Sequence, residues 1–321
     1  MPGFDGGTIP QTMLTTLYTP EMRLALSDFL YNKLPKKTMP SMNGRSPVMS
    51  LSMSGGTANI SSTRELEVAR GAPTPKANFA MGERSYRLAA YKEAAGIDDI
   101  SELEAEEFTS ELKSIMEGNI GLSVAGKQEQ VLAMILRGLG DADDGHDVLI
   151  DVLDDSERFD VYGSGGAGYS DIEAVIDRLI KTTGGRNAAI SDDVWRKFAR
   201  HPQFTNKYAG TGIEILGAAG VEAKLRDFGL TGNIYHLEHE HSNRARELGY
   251  QRTEFFTATF AVYTNGAIEA LNLRGKPSDV AFDSYVDEDT EMTYVRAKKV
   301  GGIWIPIKEQ VVICQNLLTP P

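Results

Sequence analysis

One stretch, Ser101 to Leu139, is too long for an ordinary helix inside a compact domain, and its length constrains what surrounds it. Ser101 followed by Glu104 has the spacing of a capping box, which marks a helix start. Phe108, Leu112, Met116, Ile120 and Val124 recur every four residues, with Ile115 and Leu122 beside them. Val131, Ile135 and Leu139 continue the stripe, so one face is apolar at helical period. Glu102, Glu104, Glu106, Glu107 and Glu111 crowd the N-terminal half while Lys127 and Arg137 sit late, a polarity that suits the helix dipole. Unbroken, the helix would span on the order of 55 Å at 1.5 Å per residue, whereas a mean helix has about 11–12 residues. Such an element must lie across something broad. Its apolar face carries no His, Cys or paired catalytic group, so it reads as a beam. Gly118, Gly121 and Gly126 each cost about 1 kcal/mol against Ala and mark where a kink or break would fall.

At 321 residues the chain has length for one large domain or two, with ample core. Its 41% hydrophobic and 24% charged residues are ordinary for a soluble globular protein. No run approaches the roughly 18 apolar residues of a membrane span, and no signal peptide opens the chain, so no membrane partner is expected. The single Cys314 excludes an internal disulfide framework; inside an apolar run it reads as a small buried residue in a reducing compartment. A net charge of −12 argues against a chain whose task is to grip nucleic-acid phosphates. The charge is unevenly placed. Residues 1–93 hold 11 Lys/Arg against 7 Asp/Glu, a net of +4, while residues 98–162 hold 4 against 18, a net of −14. Such a split is either a solvated acidic face or a pairing of the basic N-terminal third of one copy with the acidic middle of another.

Met1 to Ser62 has little from which to build a core. It is rich in Thr, Ser, Met, Pro and Gly, with one amphipathic segment, Pro20 to Leu34, in which Met22, Leu24, Leu26, Phe29, Leu30 and Leu34 share a face. Such a run is poorly ordered in isolation, so an arm that lies on a neighbour is expected, removable to residue 58 without loss of the fold. Thr63 to Lys92 reads as a long β-hairpin. Leu66 and Val68 alternate with charged residues on the way out, and Tyr86, Leu88 and Ala90 do so on the way back. Gly71-Ala72-Pro73-Thr74-Pro75 and Met81-Gly82 form its loose tip. Two-stranded hairpins are marginal in water, so this element too reads as one that reaches a partner; an edge hairpin packed on its own domain is the alternative.

Three clusters invite chemical readings. The acidic run Asp141, Asp143, Asp144, Asp147, Asp151, Asp154 and Asp155 fails as a calcium loop, because Gly145 at the sixth position puts Gly140 and Ala142 at the first and third. It reads as a turn followed by a strand, His146 to Leu153. Gly163-Ser164-Gly165-Gly166-Ala167-Gly168 matches GxGxxG in letter. The helix after it has its own start, Ser170-Asp171-Ile172-Glu173, another capping box. The preceding Arg158 to Tyr162 is polar for a buried parallel strand, and no acidic residue ends a second strand about 20 residues later. A flexible loop is the default there, and an NAD-binding oxidoreductase using residues 163–168 the alternative. His236, His239 and His241 interleave with Glu238 and Glu240. On a strand His239 and His241 share one face and His236 the other, so the segment alone does not put three metal ligands together. No Ser-His-Asp order, zinc motif, P-loop or carboxylate pair has supporting context. No catalytic, cofactor-binding or metal-binding residue is assigned, and no cofactor is expected.

Asp171 to Lys181 is an amphipathic helix with Ile172, Val175, Ile176, Leu179 and Ile180 inward, ended by Thr183-Gly184-Gly185. Ala188-Ala189-Ile190 reads as a short buried strand, and Ser191-Asp192-Asp193 caps a helix through Arg200. His201-Pro202 closes that helix, which makes His201 a helix C-terminal residue rather than a base. From Thr253 the chain is β-rich: Phe255 to Tyr263 and Met292 to Val300 alternate, and Ile303 to Cys314 is strongly apolar with an interruption at Pro306. Asn265-Gly266 signals a turn, and Asp283 to Glu291 reads as a polar loop.

The segment IEAVIDRLIKTTGGRNAAISDDVWRKFARHPQF resembles the central part of the major capsid proteins of tailed bacteriophages, the Hong Kong 97-type shell fold. In that family a helix, a glycine turn, a short strand and a D-V-W helix ending in His-Pro occur together. The order of elements fits over most of residues 60–317. The resemblance implies an α+β fold: an N-terminal arm (1–62), an extended β-hairpin or E-loop (63–95), a peripheral domain with the long spine helix (96–150), an axial domain (151–255), and closing strands shared by both (256–321). It implies a structural protein and no enzyme: self-assembly into hexamers and pentamers of an icosahedral phage head that encloses double-stranded DNA. The location implied is the virion capsid, assembled in the bacterial host cytoplasm. Implied partners are further copies of the chain, scaffolding, portal and decoration proteins, and packaged DNA contacted without sequence specificity. With residues 1–62 ahead of the hairpin, a separate scaffold is expected rather than a fused one. An encapsulin-like protein container shares the fold and is the alternative.

Overall fold

The computed structural model describes residues 29–50, 80–98, 109–162, 168–205, 215–237, 256–287 and 292–319. The chain enters through one helical turn, α1 (Leu30–Lys33), and a strand, β1 (Lys36–Met39). An antiparallel ribbon follows, β2 (Asn43–Ser50) against β3 (Ala80–Arg87), and β3 passes through Leu88 into β4 (Ala89–Asp98). The ribbon differs from the expected Thr63–Lys92 hairpin, because Tyr86 pairs with Gly44 and Gly82 with Val48, from the expected arm. The outgoing limb around Leu66 and Val68, and the tip at 71–75, lie outside the described residues.

The long helix, α2 (Thr109–Leu136), has 28 residues and spans about 42 Å at 1.5 Å per residue. It runs through Gly118, Gly121 and Gly126 without interruption. The Ser101–Glu104 capping box and Phe108 lie outside the described residues. The helix stops before Leu139 because Gly138, at φ +75°, closes a Schellman motif. Gly138 N–H donates to Ile135 O and Leu139 N–H to Met134 O, each at 2.9 Å. Leu139 is thereby turned out to solvent instead of continuing the stripe. The buried surface is also wider than one stripe: Leu122, Ala125, Leu132 and Ala133 are as buried as Ile120, Val124 and Ile135. A helix covered over so much of its circumference loses its amphipathic contrast.

α2 lies across a five-stranded sheet built around β11 (Met292–Trp304). β4 pairs along one edge of β11, from Met292↔Asp98 to Gly301↔Ala89. Along the other edge run β10 (Ala281–Asp287) and then β9 (Glu269–Leu273), and β1 joins β9 in parallel. Val295, Ala297 and Ile303 point toward the helix; Trp304 points the other way, into a cluster with Met39, Tyr86, Leu88 and Leu271. Phe29, Leu30, Tyr31, Leu34 and Met39 are all buried, so this end of the expected arm is core. Removal to residue 58 would therefore cut into the fold, contrary to the expectation. The stretch from Asp283 was expected to be loop, but through Asp287 it is β10, and residues 288–291 lie outside the described set. Its polarity comes from pairing: Asp283 sits opposite Arg296 and accepts from its Nε at 2.9 Å and Nη2 at 2.8 Å.

A second sheet has the order β5 (Leu149–Val152), β12 (Val311–Gln315), β8 (Phe260–Tyr263), β6 (Asn187–Ser191), β7 (Ile234–Leu237). Helices α3 (Ile172–Thr183), α4 (Asp192–Arg200), the short α5 (Pro202–Thr205) and α6 (Ala218–Asp227) accompany it. Val312, Cys314, Phe260, Val262 and Ile190 pack into the core formed with these helices. Val311, Ile313, Ala261 and Ala189 face the last turns of α2. Strands buried on both faces read as continuous apolar runs, which is why Phe260–Tyr263 does not alternate. Pro306 divides the apolar run of 303–314 between two sheets, β11 in the first and β12 in the second. Cys314 is buried, as expected.

The caps differ in detail from the sequence reading. α3 is capped by Asp171, which accepts from Ala174 N–H at 3.1 Å, rather than by Ser170. Gly184 ends it in the left-handed conformation, as the glycine pair predicted. Ser191 precedes α4, but its hydroxyl accepts from Thr259 N–H at 2.9 Å instead of capping. Asp193 takes the Val194 N–H at 2.9 Å and the Ala258 N–H at 2.7 Å.

Candidate functional site

Two features fasten the outward-reaching segments to the body. The first is the root of the β2–β3 ribbon. Trp304 Nε1–H donates to Ser85 O at 2.8 Å, and Ile305 N–H donates to Gly145 O at 3.0 Å. Gly145 has φ +82°, and a Cβ there would stand 2.4 Å from Ser85 O and 2.6 Å from Trp304 Cδ1, so both backbone and space require glycine. The Lys37 ammonium lies 4.0 Å from the Trp304 ring centroid, a cation–π contact. Arg84 donates to Asp147 O at 3.1 Å and pairs with its carboxylate at 3.6 Å, and Arg87 pairs with Asp144 at 3.5 Å. The basic N-terminal third thus meets the acidic middle within one chain. The acidic run itself begins as a 3-10 turn, Ala142–Asp144, with Asp141 accepting from Asp143 N–H at 2.9 Å, and the strand starts only at Leu149.

The second feature is a set of buried polar groups where α1, α2 and β11 meet. Glu129 of α2 is 3% exposed, and its Oε1 and Oε2 accept from the N–H groups of Leu30 and Tyr31 at 2.8 and 2.9 Å. The carboxylate therefore ties the base of the arm to the helix. Burial pushes Glu129 up to about 7, against the two N–H groups, Lys33 and Lys299, which favour the ionised form. Lys299 of β11 is 4% exposed, with its ammonium 4.7 Å from the Tyr31 ring centroid. Burial pulls it down to about 8, while Asp279 and Glu129 pull upward and Lys36 adds to the depression. The Tyr31 hydroxyl donates to Leu271 O at 3.4 Å, and burial raises its pKa well above the ordinary phenol value. The Gln128 amide lies beside that hydroxyl without hydrogen-bond geometry. A Cβ on Gly301 would stand 2.1 Å from Gln128 Nε2 and 2.8 Å from the Tyr31 hydroxyl.

The sequence reading did not find this cluster, although it left a signal. Val295, Ala297, Gly301 and Ile303 share the inward phase of β11, and Lys299 falls in the same phase. Glu129 likewise follows Ala125 and precedes Leu132, Ala133 and Leu136 in the buried part of α2.

The residues weighed in the sequence for chemistry are otherwise engaged. His201 is fully buried and terminates α4; its Nδ1 accepts from Gln203 N–H at 3.2 Å, so Nε2 carries the hydrogen facing Ser170 Oγ at 3.1 Å. A general base would need the reverse arrangement, and burial pulls His201 down to about 4. At the start of α3, Ile172 N–H donates to Gln203 Oε1 at 2.8 Å, and Asp171 holds Ala174 N–H. Those N–H groups are spoken for, and Arg158–Tyr162 forms turns rather than a strand, so the surroundings of a dinucleotide fingerprint are not built here. Gly163–Ala167 lie outside the described residues. His236 stacks on Trp195, centroids 4.4 Å apart and planes 13° from parallel, and meets Asp192 Oδ1 at 3.0 Å. His239 and His241, with Glu238 and Glu240, lie outside the described residues. Among the described residues no three His, Cys, Asp or Glu side chains converge as a metal site, and no helix is long and apolar enough to cross a membrane.

No protein-family model matches the chain, and no curated protein matches it in sequence. Solved structures do. A phage-related protein from Bordetella bronchiseptica RB50 is similar with a TM-score of 0.64 at 12% identity, over 98% of this chain and 99% of that one. The capsid of Myoviridae phage XM1 is similar at 0.52 and 14% identity, over 97% and 99%. A structure from Mycobacterium phage Adephagia is similar at 0.52 and 13%, over 98% and 100%. At such identities the likeness speaks of fold alone. The likeness runs over nearly the whole of each chain, and the chain has the Hong Kong 97-type fold of phage capsid proteins.

Proposed function

We propose that this chain is a major capsid protein, the repeating shell subunit of a tailed phage or a phage-derived particle. The observation that carries the reading is the full-length likeness to the phage-related protein and to the phage XM1 capsid, with nearly all of each chain covered. The chain's own build agrees with it. A tile has to be wide and thin, and α2 and the 13-residue β11 supply width. The β2–β3 ribbon has two strands and is held at its root, so its free length gains a second face of contacts only from a partner. On this reading the sheet around β11 with α2 is the peripheral domain, and the second sheet with its helices is the axial domain. Copies assemble into hexamers and pentamers of an icosahedral shell, with scaffolding, portal and decoration proteins as further partners. The net charge of −12 lets packaged double-stranded DNA lie against the shell without tight binding. The place of action is the virion, after assembly in the host cytoplasm.

The test is assembly. The purified chain, alone and co-expressed with the scaffolding protein encoded beside it, is followed by sedimentation velocity and negative-stain microscopy. Closed shells or free hexamers and pentamers are expected. Monodisperse small oligomers under every assembly condition would overturn the reading.

A further inference from the structure

The dipeptide Asn-Gly occurs twice in the chain, at Asn43–Gly44 and at Asn265–Gly266. Such a pair is chemically self-reactive, because a glycine has no Cβ to crowd the approach of its backbone nitrogen to Cγ of the preceding side chain. By sequence the two sites are equal; in the folded chain they are not. Asn43–Gly44 opens β2, where Gly44 pairs with Tyr86 across the ribbon. Leu88 N–H donates to Met42 O at 2.6 Å, which puts the Gly44–Tyr86 pair, two residues along, in the hydrogen-bonded phase of the antiparallel ladder. The Tyr86 side chain covers the same spot: a Cβ on Gly44 would stand 3.0 Å from its hydroxyl oxygen and 3.2 Å from its Cζ. Asn43 O is held as well, by the Ser41 hydroxyl at 2.8 Å. The glycine nitrogen is engaged there and the backbone around it is fixed.

Asn265–Gly266 forms the turn between β8 of the second sheet and β9 of the first. Asn265 is exposed, and among the described residues neither its side-chain amide nor the Gly266 N–H has a hydrogen-bond partner. The turn is closed by Ala267 N–H donating to Thr264 O at 3.2 Å, around Gly266 at φ +76°. A Cβ on Gly266 would meet nothing within 4 Å. The two atoms that must meet are free, and the space into which the turn must rock is open. We propose that Asn265 is a site of spontaneous modification to aspartate and isoaspartate, while the ribbon protects Asn43. Hydroxide takes the proton from the Gly266 nitrogen, which attacks Asn265 Cγ. The new C–N bond closes a succinimide ring as the Cγ–Nδ2 bond breaks and ammonia leaves. Water then opens the ring, at Cγ to give aspartate or at the backbone carbonyl to give isoaspartate, and nothing is oxidised or reduced. Tyr263 and Ala267 are buried on either side of the turn, and Thr264 N–H donates to Gln310 O at 3.1 Å. An isoaspartyl link would therefore insert an extra backbone carbon and a negative charge into a connection between the two sheets that is held at both ends.

The test incubates the purified full chain in mildly alkaline buffer, native and unfolded in guanidinium chloride, and follows both sites in time by tryptic peptide mapping. Conversion of amide to acid is read from the peptide mass, and isoaspartate from methyl transfer to the peptide by an isoaspartyl methyltransferase. In the native chain Asn265 is expected to convert at least tenfold faster than Asn43, whereas in the unfolded chain the two rates should agree within a few-fold. Asn265→Gln, which removes no hydrogen bond made among the described residues, should abolish methyl transfer to that peptide. Equal native rates at the two sites, or a native Asn265 that stays intact while the unfolded chain reacts, overturn the proposal. So does a tenfold preference for Asn265 that persists in guanidinium chloride, since local sequence rather than the fold would then select the site. None of these outcomes bears on the shell-subunit reading, which stands or falls on assembly.

Discussion

Replacing Glu129 by Gln should remove a pH dependence that the wild-type protein largely conceals. The Glu129 carboxyl, ordinarily 4.5, is pushed up to about 7 by burial. A carboxyl that holds its proton more tightly folded than unfolded stabilises the fold fully below about pH 4.5, and that contribution is lost as pH rises through 7. With about 1.4 kcal/mol per tenfold change in proton affinity, the loss is on the order of 3 kcal/mol between pH 4.5 and pH 8. His201 acts in the opposite sense over nearly the same window. Its pKa is depressed from 6.5 to about 4, so stability is lost as pH falls through that range. Lys299, lowered to about 8, adds a penalty that is nearly constant below pH 7 and is relieved only as pH rises from 8 toward 10.5. A wild-type profile sums these and looks flatter than any one of them. The difference between wild type and Glu129→Gln cancels His201 and most of Lys299, and isolates the carboxyl. Urea unfolding of the unassembled subunit, followed by Trp195 and Trp304 fluorescence at half-unit steps from pH 4.5 to 8, should show the wild-type advantage over the variant shrinking by about 3 kcal/mol. Amide exchange at Leu30 and Tyr31 should quicken in the variant, because a carboxamide offers one acceptor where the carboxylate offers two. Parallel pH profiles for the two proteins would refute the reasoning, since Glu129 would then hold its proton equally tightly in the folded and unfolded states.

His201→Gln should remove the opposing contribution: the variant's stability relative to wild type should rise by on the order of 3 kcal/mol as pH falls from 6.5 to 4 in the same urea titration extended to pH 4, from a deficit near pH 7 of about 1–3 kcal/mol caused by a misfitted partner for Ser170 and Gln203. Gly145→Ala should destabilise by about 2 kcal/mol or more, because it combines a left-handed backbone with a clash against Ser85 O; a red-shifted Trp304 emission is the direct readout. Deleting residues 1–39 should abolish the cooperative unfolding transition. It removes Phe29, Leu30, Tyr31, Leu34 and Met39 from the core, at about 1.5–3 kcal/mol each, a sum comparable to the 5–15 kcal/mol that holds a typical domain; a sigmoidal melt from the truncated chain would contradict the placement of α1 and β1.

What the sequence disclosed depended on how far away each element finds its partners. α3, β6 and α4 follow one another and bury themselves on shared neighbours, so their periodicity and glycine turn were legible. β1 was not: of Lys36, Lys37, Thr38 and Met39 only Met39 is buried, and the strand exists because β9, more than two hundred residues on, offers it an edge. β10 was hidden by the same distance effect in a polar form, with Asp283 answered by Arg296 across the sheet. The existence of the long helix was plain, whereas its end was misread because Leu139 is apolar, and the weight belonged on Gly138. Of the buried polar cluster only the phase of Lys299 in β11 and of Glu129 in α2 was visible. Neither pointed to the other, since the group that joins them to the arm is a pair of backbone N–H groups.

That cluster does something that apolar packing does not. Gly118, Gly121, Ala125, Gly126 and Ala133 give α2 a smooth buried surface, along which a slide by one turn would cost little in shape. Glu129 meets two consecutive N–H groups of α1, and the Gln128 side chain fills the space that any side chain on residue 301 would need. These fits coincide at one axial position of the helix. Buried ionisable groups are weak sources of net stability and are best attested as devices that fix register. The next residue of β11 fixes the opposite side. Gly302 lies so close to the ribbon root that a Cβ would stand 2.4 Å from Arg87 O. Two adjacent glycines of one strand therefore set the helix from one face and the ribbon from the other. On the proposed shell-subunit reading a wide tile must carry its ribbon at one angle in every copy, and a side chain at either position should disturb that angle before it unfolds the subunit.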